Sequence, residues 1–474
     1  MHVLAGIRGA PPSHVPLNLP TPILVSYLDT PAQASEFLRG IADVDTLALD
    51  TEGASFHRFI DRVYLLQLST RDQHAIVDPL GAGILPEIGL LMERPETEIV
   101  FHDADYDLRL LRQDYGWKVT NVFDTRIASQ LLGIKAFGLA ALLEQYFGVK
   151  LDKKHQRADW SMRPLTAGML DYAAQDTRYL LELRDILHGR LESAGRLAWA
   201  REEFLRLENA QFAPDDPGGV FLRIKGARDL NRRELAVLRE LVPWRDDLAR
   251  AADRATFRVM GNDVLLEIAR RQPLTAADLG AIKGVPRHLL DSRWTEIADL
   301  VNRGLAVQEN DLPRFPRAPR WDRDPDFDDR VARLKCVRDD VAAGLDLDPG
   351  VLCSRERLEA IARRKPASMS ELLEVPDLRR WQAGLMGDGF IAALTARSAA
   401  PAPLELALTG ETATDTDATP DVTAGAPHAS PVLDQPSVAL ELPLASPPKQ
   451  PRARGSRPAR SKPAVNEESP YRDG

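Results

Sequence analysis

Cysteine is nearly absent from this chain: there are two, Cys336 and Cys353, in 474 residues. Two thiols cannot build a disulfide framework and their spacing matches no metal-binding pattern, so a reducing compartment and free buried thiols are expected. Long apolar runs are missing as well. No stretch approaches the length of a membrane span, and the N-terminus has no basic start leading into an apolar core, so a cytoplasmic location without a membrane partner is expected. Net positive charge is also lacking. Lys and Arg number 61 against 70 Asp and Glu, for a formal charge of −9 and a pI near 5.6. Such a chain has no global field to attract a polyanion, so any contact with nucleic acid has to come from local basic patches. A Gly-x-x-x-x-Gly-Lys-Ser/Thr loop, which cradles nucleotide phosphates, is absent too.

What the chain has is a pair of like charges, Asp50-Thr51-Glu52, ending the apolar run Leu47-Ala48-Leu49. On an extended strand residues i and i+2 project to one face, so the two carboxylates stand side by side. Holding both ionised is costly unless a cation lies between them, and a divalent metal is the usual answer. Two segments can complete such a site. In the helical stretch Met169–Leu187, Tyr172 and Asp176 are four apart and share a face. The stretch from Ile99 to Leu108 reads as a buried strand running into a helix with an acidic first turn. Asp103, Asp105 and Asp107 compete there, and Asp105 can equally be an N-cap. Taken singly, these features have everyday readings as solvated turns or surface carboxylates. Their order along one chain is less easily accidental.

The succession Asp-x-Glu, Asp, Tyr-x-x-x-Asp resembles the 3′→5′ exonuclease superfamily, in the branch with a tyrosine in its third motif. Val63-Tyr-Leu-Leu-Gln-Leu-Ser69 looks like that family's second strand, and Leu151-Asp-Lys-Lys-His-Gln-Arg-Ala-Asp-Trp-Ser-Met-Arg-Pro-Leu165 is similar to the ribonuclease D group. The resemblance spans residues 22–210. It also selects Asp107, because the family's second aspartate falls five residues after the histidine of Val-Phe-His102.

The resemblance implies a site made of Asp50, Glu52, Asp107, Tyr172 and Asp176. The four carboxylates would hold two divalent cations about 4 Å apart. Oxygen donors without cysteine or paired histidine favour Mg²⁺ or Mn²⁺ over zinc. Asp50 would bridge the ions, Glu52 and Asp176 would complete the first, and Asp107 would hold the second, partly through water. Tyr172 would orient the attacking water. Lys153 matches a lysine that faces the terminal nucleotide in the family, and Gln67, Arg157 and Trp160 are further substrate-binding candidates, Trp160 as a stacking face. His102 is read as structural, and His155 receives no role. The implied activity is 3′→5′ exoribonuclease action that releases nucleoside 5′-monophosphates, with tRNA precursors or other stable RNAs as partners and a monomeric chain. The same centre acting on DNA is one alternative, disfavoured without a polymerase-sized partner domain. A catalytically silent RNA-binding scaffold is another, disfavoured because all four carboxylates are present.

The expected architecture is α/β, which the resemblance implies to be a ribonuclease H-like mixed sheet flanked by helices, followed by all-α domains and a disordered tail. Residues 1–21 read as a flexible, proline-rich arm and 22–210 as the exonuclease domain. Strands are expected at Thr46–Asp50, Val63–Ser69, Ala75–Asp78, Glu98–His102 and Asn121–Phe123, the first three as a meander. Helices are expected at Ala32–Gly40, Leu85–Met92, Tyr106–Asp114, Ile127–Leu132, Leu139–Tyr146 and Met169–Leu187. From about Arg228 the chain reads as helical, with an internal repeat. Leu265 pairs with Leu358, Ile268 with Ile361, Pro273 with Pro366 and Leu279 with Leu372. Two copies are too few for a solenoid. The first, with Arg254-Ala-Thr-Phe-Arg-Val-Met260 before it and Ile282-Lys-Gly-Val-Pro286 behind, resembles the HRDC domain and is assigned to 225–306. The second, at 329–398, is a divergent copy carrying Val375-Pro-Asp-Leu378 in place of Ile-x-Gly-Val. A linker rich in proline and charge is placed at 307–328. Arg270-Arg271 and Arg363-Arg364 are candidate phosphate contacts. The tail 399–474 is disordered by composition, acidic from Glu405 to Glu441 and basic from Lys449 to Lys462.

Overall fold

The computed structural model of the chain describes residues 25–83, 85–209, 217–316 and 324–396. The expected arm (1–21) and tail (399–474) lie outside the described residues. Six strands form one mixed sheet: β1 (Val25–Leu28), β2 (Thr46–Glu52), β3 (Leu65–Ser69), β4 (His74–Val77), β5 (Glu98–Phe101) and β6 (Val122–Asp124), in the order β1-β4-β3-β2-β5-β6. β2, β3 and β4 run as the anticipated antiparallel meander, while β1, β5 and β6 add in parallel to β4, β2 and β5. β1 was not expected. Three of its four residues are half-buried and Leu28 is buried, and it pairs in parallel with β4.

The period of two along β2 sorts its side chains. Leu47 and Leu49 enter a core beneath α1 (Pro31–Gly40), α2 (Pro79–Ala82), α3 (Pro86–Glu93) and α4 (Asp105–Tyr115). Ala48 faces the other way, into a core with α5 (Thr125–Leu131), α6 (Leu139–Phe147), α8 (Leu180–Ser193) and α9 (Leu197–Glu208). Asp50 and Glu52 share the Ala48 face, opposite Gln67 and Leu65 across the β2–β3 ladder. α7 (Ala167–Arg178) packs on that end of the sheet through Met169, Ala173 and Ala174. The single helix expected over Met169–Leu187 is two helices. Tyr179 leaves the helical region (φ −113°, ψ 6°), ending α7 and opening α8, and the apolar spacing runs through the break without marking it.

The helical region starts earlier than anticipated, because Phe221 of α10 (Val220–Arg223) and Ile224 are buried in its core. Its first copy comprises α11 (Arg232–Ala251), α12 (Thr256–Val259), α13 (Asn262–Arg271), α14 (Ala276–Gly280) and α15 (Arg287–Ala306). The second repeats it as α16 (Phe327–Leu345), α17 (Pro349–Leu352), α18 (Arg355–Arg364), α19 (Met369–Leu373) and α20 (Arg380–Thr395). α16 begins inside the span expected to be linker, and residues up to Phe315 pack on the first copy. Details of backbone conformation repeat as well. Gln272 and Lys365 end their helices at φ 51° and 52°, and the divergent Asp377 adopts φ 61° where the first copy has Gly284 at 94°.

The two copies attach differently. The first has its own core, whereas Leu358, Ile361, Leu372 and Phe390 of the second join the apolar cluster that contains Ala48, Val100 and Phe123 of the sheet. Trp199 stacks on Trp381 at 5.0 Å, Arg379 Nε donates to Glu203 at 3.1 Å, and the Arg380 amide donates to Glu202 at 2.7 Å. At Gly133 (φ 75°) a Cβ would collide with the carbonyl oxygen of Asp346, so the backbones meet directly there. Cys336 is exposed, contrary to the expectation of two buried thiols, because it lies on the solvent side of α16. Cys353 is buried, which pushes its thiol up to about 11. Among the described residues, no helix is long and apolar enough to cross a membrane.

Candidate active site

Asp50, Glu52 and Asp176 converge, each offering a carboxylate oxygen within 4.8 Å of the others. Burial and mutual repulsion raise all three. Asp50 is pushed well up by desolvation and then by Asp176, Glu52 well up by desolvation and then by Asp50, and Asp176 up to about 7 by desolvation and then by Asp107. What acts on these groups is burial, one another, Asp107 and the Thr51 amide, without an offsetting cation among the described residues. Three hard oxygen donors short of positive charge fit a divalent cation. Tyr172, one turn before Asp176 on α7, has its phenol raised by burial and then by Asp176, Glu52 and Asp50, so it stays protonated at neutral pH.

Asp107 is set apart from that trio. It is 4% exposed, on the first turn of α4, and its Oδ1 accepts from the Thr51 amide at 2.9 Å and the Thr51 hydroxyl at 2.6 Å. Thr51 points away from Asp50 and Glu52 along β2 and thereby fixes the fourth carboxylate. Of the three competing aspartates, Asp103 and Asp105 are exposed, and Asp103 pairs with Arg126. Asp124 locks the approach to α4. One of its oxygens caps α5 and the other accepts from the Ala104 amide at 2.8 Å. Beyond Glu52 the chain needs glycine, since a Cβ at Gly53 would strike the Tyr106 hydroxyl, itself held on Asp61 at 2.5 Å.

The loop before α7 is clamped by Arg163. Its guanidinium grips buried Asp78 at 2.5 and 2.7 Å and reaches the carbonyls of Trp160, Met162 and Tyr64. Burial works to raise the Asp78 carboxyl, but hydrogen bonds from Arg163 and Tyr27 outweigh it and hold it below the usual range. Thr166 then caps α7. This loop corrects one expectation: Trp160 is 1% exposed, packed against Leu65 and Ile76, and has no face for a base to stack on. Gln67 is fully buried in register with Asp50, with both amide atoms unpartnered, so it adjoins the carboxylates and not an open groove. Lys153 and Arg157 are exposed. His102 is neutral at physiological pH, lowered to about 4 by burial and then by Arg126, and contacts the Thr125 hydroxyl at 2.9 Å. His155, given no role from the sequence, sits edge-on to Tyr172 with ring centroids 6.2 Å apart. No spacing rule could have paired them, because a loop joins them. Arg270 and Arg271 pair with Glu267, Arg363 pairs with Glu359, and Arg364 donates to the Glu374 carbonyl.

A strand-borne Asp-x-Glu facing a helix-borne Tyr-x-x-x-Asp across a mixed sheet defines a 3′→5′ exonuclease domain. The family described as 3′-5′ exonuclease matches residues 25–192, and the HRDC domain family matches 234–301 and 327–394. Ribonuclease D of Gluconacetobacter diazotrophicus is 30% identical over 379 residues, which is 79% of this chain and 93% of that protein. The chain belongs to the ribonuclease D family. Among solved structures, a protein from Bifidobacterium adolescentis is 25% identical with a TM-score of 0.68, covering 78% of this chain and 97% of its own. Escherichia coli RNase D, described as an exoribonuclease involved in structured RNA processing, shares the fold at 24% identity and TM-score 0.61, over 78% and 98% of the two chains.

Proposed function

We propose that this protein is a divalent-metal-dependent exoribonuclease that shortens RNA from its 3′ end and releases nucleoside 5′-monophosphates. The observation that carries the reading is the convergence of Asp50, Glu52 and Asp176, uncompensated by any basic side chain among the described residues, with Tyr172 beside them. Two Mg²⁺ or Mn²⁺ ions suit these donors. Asp50, Glu52 and Asp176 would hold the metal between them, and Asp107 would help to hold a second ion. Bound there, such ions lower the pKa of a water and stabilise the leaving oxygen. The side chains supply orientation. Tyr172, kept protonated, hydrogen-bonds the attacking water and aims it. Thr51 holds Asp107 in one rotamer through two hydrogen bonds. Lys153 and Arg157 are exposed cations that can neutralise the terminal phosphates.

Kinship with ribonuclease D supports RNA as substrate, and we extend it to 3′ maturation of tRNA precursors or other stable RNAs by a cytoplasmic monomer. The test uses purified full-length protein and 5′-labelled RNA and DNA of one sequence, each with Mg²⁺, Mn²⁺ or EDTA. A ladder shortening from the 3′ end, on RNA and only with metal, is expected. Equal cutting of DNA would reassign the substrate, and no metal-dependent product on either strand would leave a silent scaffold.

A further inference from the structure

Four residues after Glu52, a tight turn in which the Ala54 carbonyl accepts from the amides of His57 and Arg58 raises Phe56 to the surface, 43% exposed. Its ring meets that of Phe257, on α12 of the first HRDC copy, edge to face at 6.4 Å, and Phe257 is 52% exposed. Large aromatic rings left open on two domains at their junction call for an explanation. The junction itself is built to hold them. Arg58 bridges Asp159 and Asp253, the Ala255 amide donates to the His57 carbonyl at 3.1 Å, and Arg258 Nε donates to the Phe56 carbonyl.

Cations surround the pair. The Arg157 guanidinium lies 5.2 Å from the Phe56 ring centroid. Arg157, Arg254 and Arg258 are all exposed and have no carboxylate partner among the described residues. The nearby acids are already occupied: Asp159 by His57 and Arg58, and Asp253 by Arg58. The patch also runs into the catalytic centre. The loop carrying Arg157 brings His155 against Tyr172, and the Arg157 carbonyl lies 3.1 Å from His57 Nε2.

We propose that Phe56 and Phe257, flanked by Arg157, Arg254 and Arg258, form a stacking platform for unpaired bases of the RNA strand whose 3′ end lies in the carboxylate site. Exposed aromatic rings set among arginines that have no carboxylate partner among the described residues match a single strand, whose bases are free to stack and whose phosphates need cations. A duplex hides its base faces and fits poorly. The platform rests on the exonuclease reading for the position of the 3′ end, and it gives the first HRDC copy a part in holding substrate.

The test uses the full chain with single-stranded RNA of about eight nucleotides, a length within the range of such sites. Binding is followed by fluorescence anisotropy in EDTA, and kcat/KM is compared between this oligomer and a dinucleotide. Phe56→Ala and Phe257→Ala should each weaken oligomer binding about tenfold, the usual scale for one lost stacking partner. Both should also shrink the advantage of oligomer over dinucleotide, while Phe257→Tyr keeps it. Arg254→Gln should flatten the salt dependence of binding. Wild-type affinity in both Ala variants overturns the platform, as does displacement by duplex RNA as effective as by single strand. If an Ala variant melts early, the leucine variant at the same position, Phe56→Leu or Phe257→Leu, replaces it, and full affinity with leucine counts against stacking. Oligomer binding that depends on both rings in a protein that cuts no RNA supports the platform and sinks only the exonuclease reading.

Discussion

Three carboxyl groups converge at the end of β2 with Asp107 nearby and no basic side chain among the described residues to offset them, and their proton affinity carries a stability consequence. An unfolded Asp or Glu titrates near pH 4, whereas Asp176 is pushed up to about 7 and Asp50, Glu52 and Asp107 are also raised. Between those limits the folded chain binds more protons than the unfolded one, so its metal-free stability falls as pH rises through the window. Melting temperature in EDTA should therefore drop from pH 5 to pH 8, and added Mg²⁺ or Mn²⁺ should raise it more at pH 8 than at pH 6. A melting curve flat with pH would contradict this. Asp50→Asn should lower turnover by about 10³ or more, given the several kcal/mol that metal ions contribute. The same change should leave the EDTA melting temperature unchanged or higher, since it removes one of the repelling charges. Tyr172→Phe should cost roughly 10² in kcat with little change in KM, the scale expected when a positioned hydroxyl is lost from the transition state.

At the scale of elements, the site depends on how α4 and α7 are seated. Arg163 ties the loop before α7 to Asp78, which is only 3% exposed. Removing the guanidinium leaves that carboxylate buried and unpaired, so Arg163→Ala should destabilise the chain by about 3 kcal/mol, measured by urea unfolding, and should slow turnover as α7 loosens. Much at this scale was legible in the sequence. The apolar run Leu47-Ala48-Leu49 with Asp50 and Glu52 two apart behind it announced a strand with carboxylates on one face, and the meander after it followed from its turn residues. β1 was passed over although Val25 and Tyr27, preceded by Ile23, are residues that favour strands; what the structure adds is its parallel pairing with β4. The break at Tyr179 was hidden, as apolar residues continue at helical spacing across it. Asp107 could be chosen over Asp103 and Asp105 only by family likeness, since what distinguishes it is burial and the grip of Thr51. Trp160 shows the limit from another side: composition marks a tryptophan as able to stack, and only packing shows that its faces are taken.

At the scale of the whole molecule, the repeat was plain in the sequence, but the unequal use of its two copies was not. Equivalent positions such as Leu265 and Leu358 look alike, yet the first lies in a core of its own helices and the second in a core continuous with the catalytic sheet. The charged side chains that dock the second copy, Glu202, Glu203 and Arg379, read as ordinary helix surface until their partners are seen. A chain ending after residue 316 should therefore harm the exonuclease domain itself, because Trp199 and the apolar residues around it would be left open to water. A fall of about 5 °C or more in the melting temperature of the remaining protein is expected, together with faster proteolysis within α9. Equal stability with and without the second copy would show that the shared core contributes little.

The close approach at Gly133 turns this dependence into a handle. The backbone of Asp346 passes so near that a single added methyl group has nowhere to go, and the positive φ of Gly133 already excludes most side chains. Gly133→Ala is thus a wedge one carbon wide, driven between the nuclease and its second helical domain at a residue that is not one of the site's carboxylates. Whether the enzyme tolerates it reports, without touching the chemistry, how firmly the ancillary half must be closed against the blade.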